Sequence, residues 1–290
     1  MIVPGSASQE IAASLAAALD EPLAAVEYER FADGEQLVRI PTPGAGGDGG
    51  DGEAATVDRA VVVAATVSAA THIELLLLQD AARARAEEVV TVLPYMGYAR
   101  QDKAFEEGEP ISARAVARAI SSGTDRVLTV NPHKAFVCDF FDVPCEPLDA
   151  ADRLAEPLPA LEDPLFVSPD EGAVELAETV RDAHGAGEAD YFEKHRLSDT
   201  EVEIRPSDAT TGGRDVVLVD DIVATGSTMS TAIAQLEAPA RVFVTCVHPV
   251  LTRNARTKLA AAGVDAVYGT DTVERPVSAV SAAPTIADAL

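Results

Sequence analysis

"VVLVDDIVATGSTM", residues 216–229, is the stretch on which the reading of the whole chain turns. Val216 to Val219 read as a strand buried on both faces, and Asp220 and Asp221 follow directly. Ala224 to Thr228 reads as a turn of small and hydroxyl residues. Met229, Ala232, Ile233 and Leu236 then keep the helical i, i+3, i+4, i+7 spacing, so a helix begins near Ser227. Strand, turn and helix in that order leave several backbone N–H groups pointing out of the carboxyl edge of a sheet, where an anion fits. Thr225, Ser227 and Thr228 add hydroxyl donors, and Gly226 lets backbone approach a ligand closely.

The same alternation runs along the chain. "AVVVAA" at 60–65, "VVTVL" at 89–93, "RVLTV" at 126–130, "LFVS" at 165–168 and "RVFVTCV" at 241–247 read as further buried parallel strands. Ala113, Val116, Ala117 and Ile120 keep helical spacing between two of them. This predicts an α/β protein with doubly wound, mostly parallel sheets flanked by helices. The segment 143–164 is Pro-rich and weakly patterned, which puts a boundary near 145 and two domains at 1–145 and 146–290.

Apolar residues make up 47% of the 290 residues and aromatics only 4%, so the cores must be built from Val, Leu, Ile and Ala. No apolar run reaches membrane-spanning length and no basic-flanked leader opens the chain, so a soluble cytoplasmic protein is expected. Cys138, Cys145 and Cys246 are odd in number and form no CxxC pair, which argues against a disulfide framework and a structural zinc site. A formal net charge of −26 repels nucleic acid and anionic membranes. Such an acid excess also suits concentrated salt, which screens the self-repulsion, so a halophilic cytoplasm is expected. The four lysines, Lys103, Lys134, Lys194 and Lys258, each call for a reason.

Two carboxylates beside a bare phosphate would repel it. A sugar diol between them resolves the conflict, because each carboxylate accepts from ribose hydroxyls while a 5-phosphate occupies the turn. Residues 216–229 therefore read as a ribose phosphate pocket; the competing reading makes Asp220 and Asp221 caps or solvated acids in an acid-rich chain. "GAGGDG" at 44–49 satisfies the GxGxxG spacing but leads into a strand rather than a helix, and is read as an acidic loop. No GxxxxGK[ST] pattern exists, so any nucleotide triphosphate must be held another way.

Residues 216–229 resemble the phosphoribosyl pyrophosphate signature of the phosphoribosyltransferase fold. Together with "FADGEQLVRIP" at 31–41, "LPYMGYARQDKAFEEGEPISARA" at 93–115, "NPHKAFVCDFFDVP" at 131–144, "VSPDEGA" at 167–173 and "EKHR" at 193–196, the chain resembles the ribose-phosphate diphosphokinases over most of its length. That resemblance implies two phosphoribosyltransferase-like domains and transfer of the diphosphoryl group of MgATP to the 1-hydroxyl of ribose 5-phosphate. It implies ATP binding by Phe31, Asp33 and Glu35 of a neighbouring subunit with Arg100 and Gln101, hence a homo-oligomer. It implies ribose 5-phosphate binding by Asp220, Asp221, Ala224, Thr225, Gly226, Ser227 and Thr228. Lys194 and Arg196 match the mobile catalytic loop, and His133 and Asp170 the Mg²⁺ positions.

Some alternatives stay open. "FADGE" alone reads equally as an exposed hairpin with a Gly turn. His is an unusual magnesium ligand, so His133 could instead hydrogen-bond a phosphate. Asn131 stands where many members carry an acid, and "ATGST" departs from the acidic turn of many bacterial members, so phosphate or ADP regulation is not implied. A one-domain phosphoribosyltransferase would share 216–229 without needing "FADGE" plus "YARQD", and a non-catalytic nucleotide sensor would not need Lys194 and Arg196.

Overall fold

The computed structural model describes residues 1–41, 56–196, 202–206 and 209–290, with 194–196 and 202–206 described by their backbone. Residues 44–49, expected as an acidic loop, lie outside them. The chain divides into two units, one of Met1–Asp149 with Ala282–Leu290 and one of Ala150–Ser281.

The first unit is built on a five-stranded parallel sheet of β1 (Ile2–Pro4), β4 (Val57–Val63), β5 (Ala86–Leu93), β6 (Arg126–Val130) and β7 (Cys145–Leu148), in that spatial order. Between β1 and β4 the chain forms helix α1 (Gln9–Leu19) and an antiparallel hairpin of β2 (Glu27–Arg30) and β3 (Gln36–Arg39). Helices α2 (Ala69–Arg83) and α3 (Ser112–Ser121) connect the central strands. Ser68 opens α2 with a capping box, its Oγ accepting from the Thr71 N–H at 3.2 Å while Thr71 Oγ1 accepts from the Ser68 N–H at 2.9 Å. Ala60 to Val63 are fully buried, as a strand covered on both faces must be. Pro147 interrupts donation in β7, which is tolerable because β7 lies at the sheet edge.

The second unit holds a seven-stranded sheet. Its strands are β8 (Leu165–Ser168), β9 (Glu188–Arg196), β10 (Val202–Pro206), β11 (Asp215–Ile222), β12 (Arg241–His248), β13 (Ala266–Thr270) and β14 (Ser278–Val280). Their spatial order is β10-β9-β8-β11-β12-β13-β14, parallel except for β10. From β8 the chain crosses through α4 (Val174–His184) to β9 on one side. From β11 it crosses through α5 (Ser227–Ile233) to β12 on the other, and α6 (Ala255–Ala261) leads on to β13. The winding direction therefore reverses between β8 and β11. In open parallel sheets that reversal opens a crevice beyond the carboxyl ends of the two strands, where ligands bind. Val216 to Val219, flanked by β8 and β12, are fully buried.

The last helix, α7 (Ala283–Ala287), belongs to the first unit and packs on α1 there, with Ala283 and Ile286 buried. Arg59 donates to the Leu290 carbonyl at 2.8 Å and Arg126 to that of Ala289 at 2.5 Å.

Strands read at 126–130 and 165–168 match β6 and β8 residue for residue, while β11 runs three residues past the expected end at Val219. Asp220 and Ile222 remain in the parallel ladder opposite Cys246 and His248, so the twin acids belong to the strand itself. Leu236 falls beyond the end of α5. Tyr95 and Phe141 are buried, whereas Tyr98 is 51% exposed and lies against the His72 ring. The cysteines are free thiols, with Cys138 and Cys145 adjacent at 2.9 Å.

Candidate active site

The crevice at the reversal collects Asp170 from the end of β8, Asp220 and Asp221 from the end of β11, and the turn that follows. Asp170 caps the 3-10 turn Glu171–Ala173, its Oδ1 accepting from the Gly172 N–H at 3.0 Å. Burial pushes the Asp220 carboxyl well above the usual carboxylate range, and the charge of Asp221, a hydrogen bond shared with that side chain, and the charge of Asp170 add to the shift. The N–H of Asp221, which donates to Asp220 Oδ1 at 2.9 Å, pulls the other way. Asp220 therefore holds its proton more tightly than a free carboxyl does. Hydroxyl donors brought by a ligand would stabilise its ionised form, as a sugar diol does. Cys246, fully buried beside Asp220 in the ladder, has its thiol pushed up by burial and by the charges of both acids.

The turn is oriented from behind. Leu251 donates its N–H to the Val223 carbonyl at 2.9 Å, and Thr252 donates to the Ala224 carbonyl at 2.8 Å. Because a trans peptide sets its C=O and N–H on opposite sides, the N–H groups of Ala224 and Thr225 point away from residues 251–252. Gly226 has φ +70, the left-handed region, and a Cβ there would sit 3.3 Å from Leu259 Cγ and 3.4 Å from the Ala255 carbonyl oxygen. Helix α6 therefore seats directly under the turn. Thr225 Oγ1 lies 3.1 Å from Ser227 Oγ, with both hydroxyls at the surface. The region 249–259 carried no periodic or motif signal in the sequence that would have tied it to the turn.

In the first unit the "FADGE" segment is the turn of the β2–β3 hairpin. Gly34 has φ +95, Phe31 and Glu35 pair through N–H to carbonyl at 2.9 Å, and Asp33 Oδ1 accepts from the Glu35 N–H at 3.1 Å. Phe31 is 46% exposed at its tip. Arg100 and Gln101 follow the carboxyl end of β5, and His133 follows that of the adjacent β6. Gln101 is anchored to α3, its carbonyl accepting from the Ala113 N–H at 3.2 Å and its side-chain oxygen from Ser112 Oγ. Tyr98, Asn131 and His133 hold left-handed backbone at φ 66, 37 and 55. The amide of Asn131 donates to Asp149 Oδ1 at 2.8 Å.

Lys194 and Arg196 lie on β9, paired in the backbone with Ile204 and Val202 of β10; their side chains fall outside the described residues. Among the described residues no group of three or more His, Cys, Asp or Glu side chains could by itself hold a metal. The second unit offers oxygen donors in Asp170, Asp220 and Asp221. That suits Mg²⁺, which takes one or two carboxylates and completes its shell with water and substrate phosphates. No helix among the described residues is long and apolar enough to cross a membrane.

A reversal-point crevice with twin acids on the strand and a hydroxyl-rich turn after it defines a protein of the phosphoribosyltransferase fold class. Comparison with known proteins narrows this. A family model described as the N-terminal domain of ribose phosphate pyrophosphokinase matches residues 1–123. A ribose-phosphate pyrophosphokinase of Halobacterium salinarum is 61% identical over 292 residues, covering 100% of both chains. One from Methanopyrus kandleri is 42% identical over 299 residues, covering 100% of this chain and 98% of the other. The crystal structure of phosphoribosylpyrophosphate synthetase from Mycobacterium smegmatis superposes with TM-score 0.78 at 28% identity, covering 100% of this chain and 96% of that one. The chain belongs to the ribose-phosphate pyrophosphokinase family, enzymes that make phosphoribosyl pyrophosphate from ribose 5-phosphate and ATP.

Proposed function

We propose that this chain performs that reaction with the residues described above in specific roles. The observation that carries the reading is the coincidence of Asp220, Asp221 and the turn 224–228 with the winding reversal of the second sheet. Asp220 and Asp221 accept hydrogen bonds from the ribose hydroxyls, and the amides and hydroxyls of Ala224, Thr225, Gly226, Ser227 and Thr228 hold the 5-phosphate. The sugar is thereby fixed at both ends, which orients its 1-hydroxyl.

On the nucleotide side, Phe31 stacks on adenine, Asp33 and Glu35 accept from its amine, and Arg100 and Gln101 hold the opposite side. The exposure of Phe31 on a hairpin tip suits a residue offered to another subunit, so the active form is a homo-oligomer. The 1-hydroxyl oxygen bonds to the β-phosphorus as the bond from that phosphorus to the α,β-bridging oxygen breaks. AMP leaves and the hydroxyl proton passes to solvent. Lys194 and Arg196 neutralise charge developing on the transferred group and on AMP. Asp170 and His133 are the proposed Mg²⁺ positions, and the ion would supply further charge neutralisation on the ATP phosphates.

The test is incubation with ATP, Mg²⁺ and ribose 5-phosphate in concentrated and in dilute salt. AMP and phosphoribosyl pyrophosphate should appear in equal amounts. ATP turnover independent of the sugar, or no AMP in either medium, would overturn the assignment.

A further inference from the structure

Lys258 is one of four lysines in a chain with 48 acidic residues, and it lies on α6 directly behind the turn after β11. Its ammonium donates to Ser227 Oγ at 2.8 Å. Among the described residues it has no carboxylate partner. In so acidic a protein a lysine would be expected to pair with a carboxylate, yet this one is directed to a neutral hydroxyl. The backbone explains how. The Lys258 N–H donates to the Asn254 carbonyl at 2.9 Å, and Leu259, one residue on, packs against Gly226. That fixes the turn of α6 from which the lysine stem reaches forward to residue 227.

The consequence for Ser227 is specific. Its oxygen accepts from Lys258 Nζ at 2.8 Å and from Thr225 Oγ1 at 3.1 Å, so both lone pairs are engaged and its own hydrogen is left to donate outward. The ammonium retains further hydrogens of its own. An anion in the turn would therefore meet a polarised hydroxyl donor and a full positive charge just behind it.

We propose that Lys258 is a binding residue for the phosphate end of the sugar substrate, supplying the cation that the turn itself lacks and orienting Ser227 to donate. This rests on the reading of residues 224–228 as the ribose 5-phosphate site. At 2.8 Å the ammonium and the hydroxyl are in direct contact, with no room for a salt ion between them.

The experiment compares wild type with Lys258→Ala and Lys258→Arg by steady-state kinetics in concentrated KCl, with Ser227→Ala and Asp221→Asn alongside. Lys258→Ala should raise the KM for ribose 5-phosphate about tenfold, the worth of one hydrogen bond to a charged group, with the KM for ATP unmoved and kcat changed by less than about twofold. Lys258→Arg, which keeps the charge on a reach of similar length, should recover most of the loss. An unchanged KM for the sugar in Lys258→Ala overturns the proposal. So does a loss of kcat with both KM values raised together, the pattern of a distorted turn. If Lys258→Ala does not fold, Lys258→Gln, which keeps the stem and a neutral donor, is judged by the same split. Should Ser227→Ala and Asp221→Asn also leave the sugar's KM untouched, the fault lies in the placement of the ribose 5-phosphate site.

Discussion

Replacing Gly226 by Ala puts the geometry of the turn to a quantitative test. An L-residue held in the left-handed region costs roughly 1–2 kcal/mol, and Gly226 sits there at φ +70. The stiffer unfolded chain returns about 0.4–1 kcal/mol of this. The new methyl would also press on the Ala255 carbonyl at 3.4 Å and on Leu259 at 3.3 Å, contacts tight enough to shift the turn by a few tenths of an ångström. The net loss is about 1 kcal/mol, which for a unit the size of Ala150–Ser281 lowers Tm by about 4 °C. Gly263→Ala is the control, since Gly263 has φ +90 but open space around the added methyl. Scanning calorimetry in concentrated salt should show both variants destabilised. Only Gly226→Ala should also raise the KM for ribose 5-phosphate severalfold. A Gly226→Ala protein with the wild-type Tm would mean that the backbone at 226 is not left-handed, and the orientation inferred for the N–H groups of the turn would fall with it.

Lys194→Ala should lower kcat by roughly two powers of ten or more, as loss of one transition-state charge donor commonly does, with little effect on sugar affinity; near-normal turnover would remove it from the mechanism. Asp220→Asn bears on pH. A carboxyl whose folded pKa is raised stabilises the fold at low pH, and that contribution is lost as pH climbs through the raised value. The variant should therefore gain on wild type as pH rises, reaching about 0.5–2 kcal/mol at neutral pH while binding the sugar poorly. Equal melting curves for the two proteins at pH 8 would contradict the raised proton affinity of this acid. Dilution from concentrated to about 0.1 M salt, where the screening length grows to about 10 Å, should unfold or inactivate a chain of net charge −26; full activity in dilute buffer would refute the halophilic reading.

The sequence carried the sheet strands best where β-branched runs are bounded by polar residues, as at Arg126–Val130 and Leu165–Ser168. It underestimated β11 because aspartates ordinarily mark a strand's end, whereas here the ladder to β12 holds through Ile222. The partial burial of Asp220 beside Cys246 could not be read from an acid-rich string, since it depends on a neighbouring strand. Short edge strands such as β7, with its proline, and β14 lack the length for a pattern. The turn's own residues were visible as a motif. The parts that shape it, Leu251, Thr252 and Leu259, meet it only through the fold, and nothing local marks them.

The return of α7 to the first unit makes the second unit an insertion. As the chain is synthesised, β1 to β7 emerge early, but α1 waits for Ala283 and Ile286 to cover it, and Arg59 and Arg126 wait for the carbonyls they grip. Translation halted anywhere within Ala150–Ser281 would leave an amino-terminal body with an open flank, ready to be recognised by chaperones or proteases. The closing helix thus acts as a seal that is set only after the second unit has been made.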